Sequence, residues 1–580
     1  MSAARLSFIC STCRLARPKA ARLLPSPPSV TRSATRPVTR YYSGSSSDSN
    51  PSSSPSNLLS NPRGEAGKAG ETSPRQLQRP TTAPRPNIDI KHIRQNPELY
   101  EKNCLERNYT AQSTYPSSIN ALFAEWQACQ KNGRTLRERG NALRRQIANP
   151  ATIQHEDEAN GGDAPAPRKN GLQTSDVEQQ SPGAGVRRDV RTMTADELLQ
   201  EARLIKTALS EIEEQEGRLT TEMTNLALLI PNLTSEDTPR GDEPRVLSYI
   251  NEPHPFEAAT PSSDSVWRSH VHIGSELGIL DFAGAATTSG WGWYYLLDEG
   301  AQLEQALISY TLASITRLPG WRQVAPPSIV YSHIAAACGF LPRDQNGETQ
   351  VYALTQSASD AARNKPELSL AGTAEIPLAG MRADSLLEAS ELPAKRVGVS
   401  RCYRAEAGAR GADTKGLYRV HEFTKVELFA WTAPDLEETT DVFDELVDAQ
   451  TEILSSLGLR CRVLEMPTAD LGASAFRKVD IEAFFPSRAG QGLNGGWGEV
   501  TSASVCTDYQ TRRLATRMRD PAGKLTFPWT VNGTALAVPR VLAAVLENGW
   551  DEDQMTVTIP ECLRPWMDGK DKIEVKHRRK

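Results

Sequence analysis

The sequence predicts an α+β protein, a helical arm followed by a domain of mixed helices and strands. Three observations carry that prediction. Two stretches with apolar residues at alternating three- and four-residue spacing, from Ile119 to Ile147 and from Leu198 to Ile230, flank a low-complexity segment. From about 246 to 568 this period gives way to short strand-like runs alternating with helix-like ones. Inside that second region, residues 397–406 and 417–429 read as a long antiparallel hairpin, joined by a Gly/Ala loop over 407–413.

At 580 residues the chain is long enough for several domains, and its 24% charged and 38% hydrophobic composition suits a globular protein with some disordered filler. No run of about 18 apolar residues occurs, so no membrane partner is expected. The formal charge of -5 hides an asymmetry: residues 1–47 hold eight Lys or Arg and no acid, which leaves the remainder markedly acidic. Any nucleic-acid contact must therefore come from local basic patches.

Residues 1–42 are rich in Arg and Ser, poor in acids and punctuated by Leu6, Phe8, Ile9, Leu15, Leu23 and Leu24, the composition of a mitochondrial transit peptide. Residues 43–86 are Ser-, Pro- and Gly-rich, too poor in apolar area to offset chain entropy, and read as a linker. The nine Cys are scattered; the one CxxC, Cys10 to Cys13, has no second pair to complete a zinc site, and the rest fit a reducing compartment.

Residues 87–245 form the predicted arm, with a disordered insertion over 149–193 at its tip. The seams predict two helices coiled antiparallel, with Gly133, Gly140 and Glu216 as weak positions. Arg134, Arg137, Arg139, Arg144 and Arg145 flank the first seam. They suit an arm lying along an elongated anionic partner; a spacer or dimerisation element with a solvated charged face is the alternative. In the region 246–570, strand is expected over 291–298 and 460–465, and helix over 299–317, 435–457 and 537–548. Residues 571–580 are a basic tail. GxxxxGK[ST] does not occur, and the GxGxxG at 490–495 does not open a helix-like run, so neither phosphate-loop nucleotide fold is indicated.

Three segments carry chemistry. In the hairpin, period two places Arg404 and Glu406 on one face, and Arg419, His421, Phe423, Lys425 and Glu427 on one face of the return strand. Unpaired buried charges cost several kcal/mol, so such a face packs poorly. It suits a charged planar ligand, with Arg404 on a phosphate, Phe423 stacked on a base and Glu406 accepting from an exocyclic amine. Internal salt bridging on an exposed sheet is the alternative. In the second segment, 368–378, Thr373 and Glu375 lie where an apolar strand is expected to turn at Pro377. They suit an ammonium group, or else Thr373 simply caps a helix. In the third, 529–540, a strand is expected to turn at Gly533 into an apolar helix carrying Arg540. Arg540 either covers the other face of a base stacked on Phe423 or is a solvated helix residue.

Taken together and in chain order, TAE at 373–375, RAE at 404–406, VHEFTKVE at 420–427 and NGTALAVPR at 532–540 resemble the class II aminoacyl-tRNA synthetases, and among them the seryl-tRNA synthetase family. Pro327 in GWRQVAPPSIV resembles the motif that forms that class's dimer interface, and the arm ending in Ile230-Pro231-Asn232 is also like that family. The resemblance spans about 88–570. It implies an antiparallel sheet flanked by helices, a homodimer, and ATP, Mg²⁺, L-serine and tRNA(Ser) as reactants and partners. With the transit-like N-terminus it implies a form acting in the mitochondrial matrix.

Residue by residue, the resemblance implies that Arg404, Ala405 and Glu406 hold the ATP α-phosphate and adenine, and that Val420, His421, Glu422 and Phe423 line the adenine. Glu499, Val500, Thr501 and Ser502 would serve ATP, with Glu499 and Ser502 on Mg²⁺, and Arg540 would meet the γ-phosphate and adenine. Thr373, Ala374 and Glu375 would take the serine ammonium, and Glu427 and Thr534 its hydroxyl. The chain departs from the family's usual pattern at Ala405 (usually Ser), Glu422 (often Gln), Ala535 (usually Gly) and in the run 499–505, and 487–497 is longer and more Gly-rich.

Overall fold

The computed structural model describes residues 83–149, 189–251, 268–341, 350–406, 416–489 and 494–575. The transit peptide, most of the linker and insertion, the hairpin loop 407–413, part of 487–497 and the last five residues lie outside them.

The two seams are the two long helices, α1 (Tyr115–Ala148) and α2 (Ala195–Leu229). Helix α2 starts with a capping box, Thr194 and Glu197 each bonding the other's backbone N–H. Gly133 and Gly140 are not defects in the seam. Both are buried, with Ile212 and Ile205 of the facing helix packed over them, and a Cβ on either would lie 3.4 Å from those side chains. Glu216 is accommodated by Gln130, whose amide donates to it at 2.5 Å. Two of the five arginines serve the arm itself: Arg139 forks onto Glu201 at 2.7 and 3.0 Å, and Arg137 reaches Glu213 and Glu216. Arg134, Arg144 and Arg145 remain exposed. The end of the expected insertion is ordered: Val190–Thr192 make a helical turn capped by Asp189, and Met193 packs with Leu143 and Leu198. Apolar Val190 and Met193 are what draw it onto the arm.

At its base the arm is tied to the second domain by backbone carbonyls. Buried Arg107 donates to the carbonyls of Asn232 and Gly472, and Arg513 to those of Leu228 (3.1 Å) and Ile230 (3.2 Å). Asn232 donates to Ser474 (3.0 Å) and Cys506 (2.9 Å). The Ile-Pro-Asn stop is thus a joint as well as a helix end.

The second domain is built on an eight-stranded sheet. In chain order its strands are β1 (Arg245–Ile250), β2 (Trp321–Val324), β3 (Ala394–Tyr403), β4 (Glu422–Thr432), β5 (Cys461–Glu465), β6 (Arg477–Phe484), β7 (Trp497–Thr507) and β8 (Trp529–Ala537). They lie in the order β1-β5-β6-β7-β8-β4-β3-β2, all antiparallel except the β2–β3 pair. Helices α3 (Glu299–Thr316), α5 (Leu436–Ser456) and α7 (Val538–Asn548) cover one face, where Val397, Val426, Leu428, Ile481, Val500 and Leu536 join the main core. Shorter helices α4 (Glu375–Gly380) and α6 (Tyr509–Leu514) lie against part of the other face, where Ile376, Leu378 and Leu514 pack on Phe429 and Trp431.

Four local expectations are corrected. The strand expected over 291–298 shrinks to Tyr295–Leu296, because Gly290 and Gly292 at φ +99° and +83° turn the chain before it. The hairpin strands stop at Tyr403 and resume at Glu422. Beyond them the Arg404 N–H still bonds the His421 carbonyl at 2.9 Å, but Ala405 N–H turns out to Gln350, His421 N–H to Gly292, and Glu406 takes φ +47°, so strict alternation does not reach Glu406 or Arg419. Pro377 lies within α4 rather than at a turn. Gly533 is in the middle of β8: a Cβ there would meet the Ser502 carbonyl at 2.8 Å and Leu446 at 2.7 Å, so it serves close strand–helix packing.

Candidate active site

Cross-strand partners share a face. The registers therefore place Asp480 beside Ser502, Ser504 beside Asn532, Thr534 beside Glu427, and Lys425 and Phe423 further along β4, all on the face opposite the main core. Glu499 joins them only because of a bulge. The register between β6 and β7 shifts around Val500, which turns Val500 into the core and leaves Glu499 and Ser502, three residues apart, on one face. An ionic face on a buried sheet is the observed arrangement.

At one end of this face the groups suit a small ammonium compound. Glu375 opens α4, is buried, and accepts from Gln510 at 2.6 Å, which in turn accepts from Thr530 at 2.7 Å. Burial, then repulsion from Glu427, pushes its carboxyl up to about 8. Glu427 is also raised, again chiefly by burial. Lys425 ion-pairs with Glu427 at 2.5 Å and donates to Thr534 at 3.3 Å. Lys425 and the Thr373 hydroxyl both act on the Glu427 carboxylate, whose remaining acceptor capacity is open to a ligand. Thr373 is buried beside them and accepts from the Glu375 N–H at 3.3 Å.

At the other end lie the groups suited to a nucleotide. Arg540 donates to the Glu499 carboxylate at 2.9 Å and to the Tyr418 carbonyl at 3.0 Å. Partial burial opposes ionisation of Glu499, but Arg540 and Lys478 outweigh it and hold its carboxyl down at about 2. The Arg404 guanidinium lies 5.2 Å from the Phe423 ring centre. The Arg404 guanidinium is near enough to favour the ionised forms of Glu375, Glu427 and Glu499 alike. Glu406 is bridged by Arg419 at 2.8 Å.

Several expected residues take other positions. The Arg540 guanidinium lies over the Tyr418 ring at 4.7 Å. Glu422 has the parity opposite to Phe423 and lies 3.7 Å from Arg401. Val500 and Ala374 point into the cores, and Thr501 donates to the Thr534 carbonyl. These can offer a ligand only backbone groups. Val420 packs with Cys402 and Phe423, and His421 meets the Arg404 carbonyl at 3.1 Å. Ala405 is half-buried next to Arg404.

The Glu499–Ser502 face offers a hard divalent cation two oxygen groups, an ionised carboxylate held by Arg540 and a hydroxyl; Asp480 across the strand is paired with Lys478 at 2.6 Å and its carboxyl is raised by burial, and among the described residues no three metal-ligating side chains cluster. Sequence reasoning missed Asp480, although Lys478, Asp480 and Glu482 alternate along an apolar strand, which was the available signal. It gave Lys425 no role of its own. It missed Gln510 altogether, since nothing local marks a Gln 135 residues from its partner Glu375.

Comparison with known proteins decides the family. The tRNA synthetase class II core domain (G, H, P, S and T) matches residues 355–549, which contain all the predicted site residues from Thr373 to Arg540. The mitochondrial serine–tRNA ligase of Saccharomyces cerevisiae is 42% identical over 396 residues, 68% of this chain and 83% of that protein. This chain belongs to the serine–tRNA ligase family. The mitochondrial enzyme of Schizosaccharomyces pombe is 36% identical over 480 residues, 83% of this chain and 88% of that one. The seryl-tRNA synthetase of Pyrococcus horikoshii, solved with ATP, superposes with TM-score 0.68 at 30% identity, covering 85% of this chain and all of that one. The serine–tRNA ligase relatives make the chain an aminoacyl-tRNA ligase with a class II core.

Proposed function

We propose that the chain activates L-serine with ATP and transfers the seryl group to tRNA(Ser) in the mitochondrial matrix, working as a homodimer. The observation that carries this is the single ionic sheet face, with paired carboxylates at one end and Arg404, Arg540 and Glu499 at the other. A serine ammonium held by Glu375 and Thr373, with its hydroxyl on Glu427 and Thr534, directs its carboxylate toward Arg404. That carboxylate is already ionised and needs no general base. An oxygen–phosphorus bond forms at the α-phosphate while the bond to the β-phosphate breaks, and pyrophosphate leaves. Arg404 and Arg540 neutralise the charge, so alignment and fixed cations supply the rate. Mg²⁺ bound by Glu499 and Ser502 would supply further neutralisation of the phosphate oxygens. A tRNA ribose hydroxyl then takes the acyl group and AMP leaves.

Alanine brings no hydroxyl to meet Glu427 and Thr534; a site built around hydroxyl recognition can discriminate by about 10⁴–10⁵. Pro327, just past β2, would lie at the dimer interface. The mitochondrial relatives and the basic, acid-poor N-terminus support the compartment. Among the described residues no helix is long and apolar enough to cross a membrane. The test is ATP–pyrophosphate exchange across amino acids. Exchange dependent on serine is expected, and exchange with another amino acid but not serine would overturn the proposal.

A further inference from the structure

Beside the nucleotide end lies an aromatic cluster that the reaction as derived does not use. Trp291 and Trp293 stand in the loop before Tyr295–Leu296, and Tyr352 comes from a separate segment. All three surround His421, at centroid distances of 5.7, 6.0 and 6.4 Å. The cluster is held in place rather than adventitious. His421 N–H donates to the Gly292 carbonyl at 3.0 Å, and Gly292 has φ +83°. A Cβ there would come within 2.5 Å of the His421 ring, so the loop closes on the imidazole only because this position is glycine. Trp291 is nonetheless 58% exposed. A large apolar ring left open on a built support is a surface awaiting a planar partner.

We propose that Trp291 and Trp293 form a stacking platform for the unpaired 3′-terminal bases of the tRNA. This rests on the reading given under Proposed function. Location argues for it. His421 touches the carbonyl of Arg404, whose guanidinium faces Phe423, so the rings border the place where the acceptor ribose must meet the adenylate. Chemistry argues for it as well. Arg419, two residues before His421 in the chain and 41% exposed on its side chain, pairs with Glu406 at 2.8 Å. Aromatic rings next to arginines are what single-stranded nucleic acid binds, stacking bases on the rings and placing phosphates by the cations. The ring suited to the ATP base is the separate Phe423, buried on the ionic face.

The experiment compares Trp291→Ala, Trp293→Ala and Trp291→Phe in the full chain. Serine-dependent pyrophosphate exchange and steady-state charging of tRNA(Ser) are measured side by side, and tryptophan fluorescence is titrated with a short single-stranded RNA ending in CCA. Loss of stacking lowers kcat/KM for tRNA by about 10- to 100-fold in the alanine variants while exchange stays within about twofold. Trp291→Phe keeps most of the charging, and the RNA quenches wild-type fluorescence more than that of Trp291→Ala. Unchanged charging, or exchange falling in step with charging, overturns the proposal. Absence of serine-dependent exchange in the wild type would instead strike the reading beneath it.

Discussion

Glu375 offers the sharpest test of the serine end of the site. Its carboxyl moves from 4.5 to about 8 in the unliganded fold, through burial first and Glu427 second. The shift corresponds to at most roughly 5 kcal/mol between protonation states. Its sign follows from linkage. A carboxyl with a raised folded pKa binds its proton more tightly when folded, so the unliganded protein loses stability as pH climbs from 4.5 through about 8. Serine reverses this, because its ammonium favours the carboxylate, and binding therefore expels the proton. At about pH 7 only about one tenth of the sites are ionised, and at about pH 8.5 about three quarters. Apparent affinity scales with the competent fraction, so KM for serine in the exchange assay should fall about eightfold over that span. Glu375→Gln removes the titrating group and should raise KM by roughly 10- to 100-fold, the cost of a charge-assisted hydrogen bond. Its pH slope should vanish, while titration of serine itself is common to both proteins. A flat wild-type KM between about pH 6.5 and 8.5, or a variant that keeps the slope, would refute the reasoning.

Other consequences follow from the same contacts. Lys425→Met leaves Glu427 buried without its ion-pair partner at 2.5 Å, which should cost about 3–5 kcal/mol in chemical denaturation unless the carboxyl takes up a proton. Either way, discrimination of serine over alanine in the exchange assay should drop. Gly533→Ala should destabilise by about 1–3 kcal/mol, since its methyl would press on the Ser502 carbonyl and Leu446; a calorimetric Tm equal to wild type would contradict the close packing. Removing the outer arm, with a short turn joining α1 near Gly133 to α2 near Ile212, should abolish tRNA charging and spare exchange. Equal loss of both would contradict a role for the arm in holding tRNA.

The features that repeat within a short window were open to reading from the sequence. The three-four spacing of Ile119 to Ile147 and of Leu198 to Ile230 demanded two coiled helices, because no other local structure buries that stripe. Charges alternating with Phe423 along a β-branched run demanded a strand with something to bind, and the chain order of TAE, RAE and NGTALAVPR pointed to one family. Tertiary structure alone decided the rest. A bulge at Val500 puts Glu499 and Ser502 on one face, although period two would have parted them. Gln510 reaches Glu375, and the Arg540 guanidinium lies over Tyr418. Gly533 passes straight through a strand that the sequence alone would have turned there. Periodicity reports which side of an element is dry. Where that periodicity slips, and which distant group meets which, depends on partners that only packing brings within hydrogen-bond range.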